Sequence, residues 1–278
     1  MTVGFVGLCV GSFLNVVIHR LPRMMEAQWR AECAELNGTP ADERPVYNLV
    51  KPDSTCPKCG TAIRAWQNVP VVSWLALGGK CAACRAPISA RYPLVELLTM
   101  GLSLGVAWKF AGVHPLVVFA GCVFTWALVA LTFIDLDTQL LPDDITLPLL
   151  WAGLLFNALG GGMFVDLRSA VVGAMAGYLL LWSVYWAFRL IAKKEGMGFG
   201  DFKLLAAICA WFGWQVLPLV VLVSAVSGTI IGTIALVATR RGTDTRIPFG
   251  PYLAIGGLVA LFYGHEAVVR WLGGFPTL

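Results

Sequence analysis

Charged side chains are scarce in this sequence. Lys, Arg, Asp and Glu make up only 13% of its 278 residues, whereas 58% of the residues are hydrophobic. This low proportion of charge, with a mean hydropathy of +0.76, excludes an ordinary soluble protein and predicts a polytopic membrane protein. The net charge of +4 is explained by membrane topology and anionic lipid, so it calls for no nucleic acid as a partner.

Two further features are missing from the sequence. The first 22 residues, MTVGFVGLCVGSFLNVVIHRLP, have no basic start and no small-residue cleavage site. We therefore expect the first apolar segment to remain as an anchor rather than to be removed as a signal peptide. The chain also has only three histidines, which are scattered among segment ends. Their distribution argues against a histidine metal site.

Eight apolar stretches are candidates for transmembrane helices, because a helix needs about 20 apolar residues to cross a bilayer. They cover residues 1–18, 94–112, 115–134, 145–160, 168–190, 202–214, 216–238 and 250–270. Two of them, 145–160 and 202–214, are short for a complete crossing. The sequence thus predicts an all-α polytopic membrane protein with about eight transmembrane helices.

The basic residues are distributed unevenly between alternate loops. Most of the 20 Lys and Arg residues lie in the regions 20–92, 189–203 and 240–246. Only Lys109, Arg168 and Arg270 lie in the intervening loops. Because positive charge is retained on the cytoplasmic side of a membrane, the three richer regions are predicted to face the cytoplasm.

One extended polar region interrupts the apolar segments. It covers residues 20–92 and separates the first transmembrane helix, residues 1–19, from a seven-helix membrane domain, residues 93–278. A domain of this size buries too little apolar surface to be stable unaided, so it needs a covalent or metal cross-link. The region is therefore predicted to be a small cytoplasmic insert held together by such a link.

Two CxxC motifs in this insert supply a possible cross-link. The motifs CPKCG and CAACR contribute Cys56, Cys59, Cys81 and Cys84. Two thiolates spaced in this way can grip one tetrahedral metal ion, and the separation of the motifs is close to that of a zinc ribbon. Two disulfides, or four reduced thiols without a ligand, are the alternatives. A reducing cytoplasm favours structural zinc.

Two aspartates lie at helix ends. Asp135 follows the apolar stretch ALVALTF at the C-terminal end of a helix, where the helix dipole disfavours a negative charge. Asp201 opens the segment FKLLAAICAWFG after the sequence GFG, so it could simply be a helix N-cap. Both are predicted to lie at the cytoplasmic face. Two carboxyl groups that share a proton there would form an acid and base pair able to activate water for peptide hydrolysis.

The loop FIDLDTQLLPDDI carries further carboxylates and no basic residue. Asp143 and Asp144 follow Pro142, which is a favourable residue at the start of a helix. Negative charge is also favourable in the first helical turn, so these two aspartates are predicted to stabilise the next helix.

The order of the motifs is typical of one family. GFGD at 198–201 fits the GxGD signature of membrane aspartyl proteases. It occurs together with IDLDTQLLPD, the double CxxC insert, GSFLNVVIHRLP at 11–22 and PFGPYLA at 248–254. With this combination, over nearly its whole length, the chain resembles the bacterial type IV prepilin peptidases.

The resemblance implies a bifunctional enzyme of the bacterial inner membrane whose active site faces the cytoplasm. Its catalytic pair would be Asp135 and Asp201, and its four zinc-type cysteines would be those of the two CxxC motifs. The enzyme would remove the short basic leader of type IV prepilins and type II secretion pseudopilins after a glycine. It would then methylate the new N-terminal residue, usually phenylalanine, with S-adenosylmethionine.

The methyl-transfer site is not visible as a motif. The sequence has no glycine-rich strand-to-helix fingerprint of a soluble S-adenosylmethionine domain. We expect this site near the insert and the Asn15–Arg20 end of the first helix. Glu96, an ionisable residue in an apolar segment, either takes part in this reaction or pairs with a basic residue such as Arg91.

Two other functions fit part of the pattern. A GxGD intramembrane protease with other substrates would share Asp135 and Asp201, but it would not explain the CxxC insert. A proton- or cation-coupled transporter could use the same aspartates as a relay. Transporters tend to carry such groups near the membrane midplane and often contain internal repeats, and neither feature is evident here. The peptidase is therefore favoured.

Overall fold

The computed structural model describes residues 2–38, 47–193, 197–239 and 248–271. Within these ranges the chain forms nine α-helices, two short 3₁₀ segments and no β-strand. The helices are α1 (Thr2–Leu36), α2 (Val72–Ala76), α3 (Arg91–Lys109), α4 (Pro115–Thr138), α5 (Asp143–Leu159), α6 (Leu167–Ala192), α7 (Phe199–Phe212), α8 (Leu217–Thr239) and α9 (Gly250–Trp271). The predicted all-α class is confirmed.

Every predicted apolar stretch lies largely within a helix. Among the described residues, four helical stretches are long and apolar enough to cross a membrane: Thr2–Leu36, Pro115–Thr138, Leu167–Ala192 and Trp214–Ile234. The remaining helices are too short or not apolar enough for this criterion. Helix α7, for example, has 14 residues and is about 21 Å long. The count of about eight spans therefore stays a prediction.

Part of the orientation prediction concerns residues outside the described ranges. Five basic residues of the regions predicted to be cytoplasmic lie outside the ranges that the structure describes: Arg44, Lys194, Arg240, Arg241 and Arg246. The assignment of these regions to the cytoplasm stays a prediction.

By its contacts the chain divides into two compact units. Unit 1 is Met1–Ala111 and unit 2 is Gly112–Leu278. Unit 1 contains α1, α3 and the insert between them, and unit 2 contains α4 to α9. The division into domains at residues 19 and 92 stays a prediction, although α1 and α3 pack against each other within unit 1.

The first helix of unit 1 continues well past the predicted end of its apolar segment. It includes Pro22 and ends at Leu36, because the length needed to cross a bilayer does not limit how far a helix extends into water. Its N-terminal part packs closely on α3 through glycines. A Cβ atom on Gly11 would lie 2.7 Å from the Glu96 Cα, so only a residue without a side chain permits this approach.

Helix α7 forms the centre of unit 2. It contacts α5, α6 and α9, and its residues from Leu204 to Phe212 are all buried. At its C-terminal end, the Trp211 indole donates a hydrogen bond to the Leu149 carbonyl at 2.8 Å. The Asn157 amide also donates to the carbonyls of Ala210 and Trp211. These contacts join α5 to α7 and thereby fix the helix that begins near Asp201.

Candidate active site and metal centre

Asp135 lies in the last turn of α4 and is 4% exposed. Its carboxylate Oδ2 accepts a hydrogen bond from the backbone N–H of Gly250 at 2.9 Å. Gly250 is the first residue of α9, so the positive end of that helix dipole offsets the unfavourable position of Asp135 on α4. This contact explains how a carboxylate is tolerated at the C-terminal end of a helix.

Asp201 lies in the first turn of α7 and is 6% exposed. The alternative that it is the N-cap residue is wrong, because Gly198 occupies that position. The Asp201 Oδ2 instead accepts a hydrogen bond from the Gly198 N–H at 3.2 Å. The carboxylate therefore satisfies one free amide of the helix start from a position inside the helix.

The two carboxyl groups are close enough for the charge of Asp135 to act on Asp201. Two buried carboxylates repel each other, so a state in which the pair holds one proton is favoured over a doubly charged state. Each group also accepts a hydrogen bond from a glycine amide. A pair that holds one proton would combine an acid and a base in a fixed orientation, and these are the requirements for activating a water molecule.

Two residues near the aspartates were not identified from the sequence. Leu141 lies in the connection from α4 to α5 and contacts both Gly200 and Gly250. A Cβ atom on Gly250 would lie 2.6 Å from Asp135 Oδ2, so this position accepts glycine alone without a shift of the carboxylate. The PFGPYLA motif was the available signal for Gly250, whereas nothing in the sequence distinguished Leu141.

The acidic loop begins α5 as predicted. Asp143 and Asp144 lie in the first turn of α5, and Pro142 is its N-cap. The Lys203 ammonium on α7 donates to both carboxylate oxygens of Asp143 at 2.7 Å. Such a partly exposed ion pair contributes at most about 1 kcal/mol to stability, but it joins the starts of α5 and α7. Sequence reasoning did not pair these residues.

The four cysteines of the CxxC motifs form one cluster in unit 1. The sulfur atoms of Cys56, Cys59, Cys81 and Cys84 all lie within 4.8 Å of one another. The Cys56 and Cys84 sulfurs are 3.8 Å apart. In a tetrahedral site with Zn–S bonds of about 2.3 Å, sulfur atoms lie about 3.8 Å apart. The cluster therefore has the ligand number and the spacing to hold a metal ion such as zinc.

The two halves of the cluster share one backbone geometry. Gly60 donates its N–H to the Cys56 carbonyl at 2.8 Å, and Arg85 donates its N–H to the Cys81 carbonyl at 3.0 Å. Gly60 has φ +70° and Arg85 has φ +59°. The first motif thus closes with a glycine in the left-handed conformation, which glycine adopts at little cost. The equivalent turn in the second motif uses an arginine, despite the cost of this conformation for a side chain.

The environment of Cys59 favours the thiolate form. The Thr61 hydroxyl lies 3.3 Å from the Cys59 sulfur. Hydrogen bonding from Thr61 lowers the pKa of this thiol to about 6. A thiolate is the form of cysteine that ligates a metal ion, so Cys59 is suited to this role at neutral pH.

Polar residues of the unit 1 helices hold the insert in place. The Arg20 guanidinium donates to the carbonyls of Asn48 at 3.0 Å and Pro52 at 2.7 Å. The buried Glu96 carboxylate accepts a hydrogen bond from the Val71 N–H at 2.7 Å. Asn15 donates to the Tyr92 carbonyl at 3.1 Å. Arg20 and Glu96 therefore orient the insert, whereas Asn15 joins α1 to the start of α3.

Comparisons with known proteins match both halves of the chain. The family described as Bacterial Peptidase A24 N-terminal domain matches residues 5–110, and the Type IV leader peptidase family matches residues 122–233. The division between the two units lies in the gap between these matches, and the second match ends at residue 233, before the end of unit 2. No solved structure matches the chain.

Sequence alignments with similar proteins cover almost the entire length of this chain. A prepilin leader peptidase/N-methyltransferase from Aeromonas hydrophila is 58% identical over 269 residues, which are 95% of this chain and 90% of the relative. A protein of the same name from Pseudomonas aeruginosa is 54% identical, over 96% of this chain and 91% of its own. Another protein of this name, from Burkholderia pseudomallei, is 52% identical over 93% of this chain and 83% of its own.

Proposed function

The chain belongs to the type IV leader peptidase family, and on this premise we propose that it is a bifunctional membrane enzyme of type IV prepilins and type II secretion pseudopilins. Its first activity removes their short basic leader after a glycine. Its second activity methylates the new N-terminal residue, usually phenylalanine. The observation that carries the peptidase assignment is the buried pair Asp135 and Asp201, each of which accepts a hydrogen bond from a glycine amide within unit 2.

The proposed cleavage needs only the two carboxyl groups and water. The ionised member takes a proton from a water molecule, whose oxygen attacks the carbonyl carbon of the scissile bond. The protonated member donates its proton to the carbonyl oxygen of the tetrahedral intermediate. When the C–N bond breaks, the carboxyl group that took the water proton gives it to the leaving nitrogen, which becomes the new amino group. The other carboxylate recovers its proton from a hydroxyl group of the intermediate. The leader departs with a carboxyl group.

The setting of this chemistry follows from the predicted topology. We place the protein in the bacterial inner membrane with about eight spans, and with Asp135 and Asp201 at the cytoplasmic face. A substrate with a basic leader in the cytoplasm and an apolar helix in the bilayer would present its scissile bond at that face. The many Lys and Arg residues of the region 20–92 support this orientation.

The second activity is proposed from the relatives, which are named as N-methyltransferases. S-adenosylmethionine would supply the methyl group. We assign this reaction to unit 1, near the insert and the Asn15–Arg20 end of α1, because Arg20 holds the insert against the helices and Asn15 joins α1 to α3. Glu96 contributes to the same arrangement through its contact with Val71.

One experiment tests both activities together. Purified protein in detergent or lipid is incubated with a prepilin and with S-adenosylmethionine carrying a labelled methyl group, and the products are followed by mass. The expected products are a shortened pilin and then a shortened pilin that carries one label. Intact prepilin after prolonged incubation would refute the proposed function.

We also propose that the cysteine cluster of unit 1 holds one structural zinc ion. Cys56, Cys59, Cys81 and Cys84 supply four sulfur ligands at tetrahedral spacing, and four-cysteine sites are typical of structural zinc. The ion would cross-link the two turns of an insert that contains little buried apolar surface. It would take no part in peptide hydrolysis.

Replacing Cys56 with serine is expected to release this metal. The change removes a sulfur ligand, and a structural zinc ion contributes several kcal/mol or more to the folding of a small domain. Metal analysis of the reduced protein should find zinc in the wild type and little in the variant, and proteolysis should cut the insert of the variant faster. Cys33→Ser is the matched control, because Cys33 is exposed on α1. Wild-type protein without bound metal would contradict the prediction.

The acidic start of α5 is expected to attract the basic leader. Asp143 is already engaged by Lys203, so the exposed Asp144 should contribute most of this attraction. Asp144→Asn is predicted to lower kcat/KM for a prepilin at low salt, and the difference should disappear in high salt because charges are then screened. A kcat/KM that depends on neither salt nor Asp144 would remove this role from the loop.

A further inference from the structure

Leu141 is a partly buried residue in the connection between α4 and α5. Helix α4 is followed by its C-cap Gln139, which has a left-handed backbone conformation and donates its N–H to the Asp135 carbonyl at 2.9 Å. Two residues after Gln139, the Leu141 side chain reaches the segments that carry or contact both aspartates. It contacts Gly200, which precedes Asp201, and Gly250, whose N–H binds Asp135.

The contacts of Leu141 leave no space for an added methyl group. A Cβ atom on Gly200 would lie 2.7 Å from Leu141 Cβ and 3.3 Å from its Cδ1. A Cβ atom on Gly250 would lie 3.0 Å from Leu141 Cδ2. Distances between carbon atoms in ordinary contact are about 3.5–4.0 Å. The Leu141 side chain therefore packs tightly on Gly200 and Gly250, and the space beside Gly250 that it borders is also bordered by the Asp135 carboxylate.

The position of Leu141 is fixed from both sides. On one side the turn at Gln139 joins it directly to the end of α4. On the other side it is followed by Pro142, the N-cap of α5. The first residue of α5, Asp143, is bound by Lys203 of α7. A side chain held in this way cannot move aside cheaply, so it can discriminate between substrates by steric exclusion.

We propose that Leu141 is a specificity-determining residue that restricts the substrate position before the scissile bond to glycine. The inference rests on the proposed peptidase function. The carbonyl carbon under attack must come within about 3–3.5 Å of the water held by the carboxyl groups. In the residue before the scissile bond, the Cα is bonded to that carbonyl carbon. The side chain of this residue therefore points into the space beside Leu141. A hydrogen atom fits there and a methyl group does not.

The test compares two peptide or prepilin substrates that differ only in glycine or alanine before the scissile bond. In wild-type protein the alanine substrate should have the lower kcat/KM. In Leu141→Ala the ratio of kcat/KM for alanine over glycine should rise about tenfold or more, which is the usual effect of one methyl group in a tight apolar site. Leu141→Val should raise the ratio by a smaller factor.

Leu140→Ala is the matched control, because Leu140 is also partly buried and the change is the same. In Leu140→Ala the ratio of kcat/KM for the alanine substrate over the glycine substrate should equal that of the wild type. If Leu141→Ala and Leu141→Val reduce cleavage of both substrates in parallel, Leu141 serves packing alone and the inference is overturned. If wild-type protein cleaves neither substrate, the proposed function itself fails. Leu141→Val, a milder change, supplies the answer where Leu141→Ala does not fold.

Discussion

Asp201→Asn and Asp135→Asn are each expected to lower the rate of prepilin cleavage by about 10³-fold or more, because positioned acids and bases contribute roughly 10²–10⁴-fold. Asparagine keeps the size of the side chain and an oxygen that can accept the Gly198 or Gly250 hydrogen bond. It can neither take a proton from water nor share one with its partner. Cleavage is measured by the mass of the product.

The same variants should still methylate a substrate that has already been cut. This expectation follows from the assignment of the two reactions to different units. Asp166→Asn is a suitable control, because the Asp166 carboxylate caps α6 by accepting the Ser169 N–H at 2.9 Å. Asparagine caps a helix about as well as aspartate, so this variant should keep both its stability and its rate of cleavage. An unaltered rate in either Asp135→Asn or Asp201→Asn would remove that residue from the catalytic pair.

If a folded Asp201→Asn protein loses both activities, the two reactions do not occupy separate sites. That outcome would refute the assignment of methyl transfer to unit 1 while leaving the catalytic pair in place. A transporter that used the aspartates as a relay would give another result, since cleavage would then be absent from the wild type as well.

Gly250→Ala is the second change with a large expected effect. The new Cβ atom would lie 2.6 Å from Asp135 Oδ2 and 3.0 Å from Leu141 Cδ2. The carboxylate must therefore shift, and its hydrogen bond to the Gly250 N–H is distorted. Misplacement of a catalytic group by about 1 Å can cost 10²-fold in rate. We expect a loss of about that size in kcat for prepilin cleavage, with methylation of a pre-cut substrate retained.

Helix propensity cannot account for such a loss, because alanine is a better helix former than glycine. Gly101→Ala in α3 is the matched control, since a Cβ atom there would meet nothing within 4 Å. It should be active and at least as stable as the wild type. A Gly250→Ala protein with the wild-type kcat would show that Asp135 does not need its present position for cleavage.

The cysteine cluster illustrates how much of a site can be predicted from local sequence. The four cysteines lie in two CxxC motifs, and the spacing within each motif is set by one tight turn. The left-handed conformation of Gly60 was therefore predictable. Arg85 adopts the equivalent conformation without being a glycine, so the second turn could be inferred only from its likeness to the first.

The surroundings of the aspartates illustrate the limits of local sequence. The burial of Asp135 was unexpected for a carboxylate at the C-terminal end of a helix, and it is explained by the N-terminus of α9, far away in the chain. The pairing of Lys203 with Asp143 likewise depends on how α5 packs beside α7. Periodicity and helix dipoles describe one helix at a time, so neither predicts which helix ends will meet.

The sequence by itself determined the all-α class, the apolar segments and the two cysteine motifs, because composition and short-range spacing encode each of them. It also predicted Asp135 and Asp201 as the catalytic pair, and that assignment stays a prediction. Only the tertiary structure decided which groups surround the carboxyl pair. Gly250, Gly200 and Leu141 come from separate segments of unit 2 and meet because α4, α5, α7 and α9 pack together. Close packing between distant segments depends on the shapes of many side chains at once, and a motif in one segment does not contain that information.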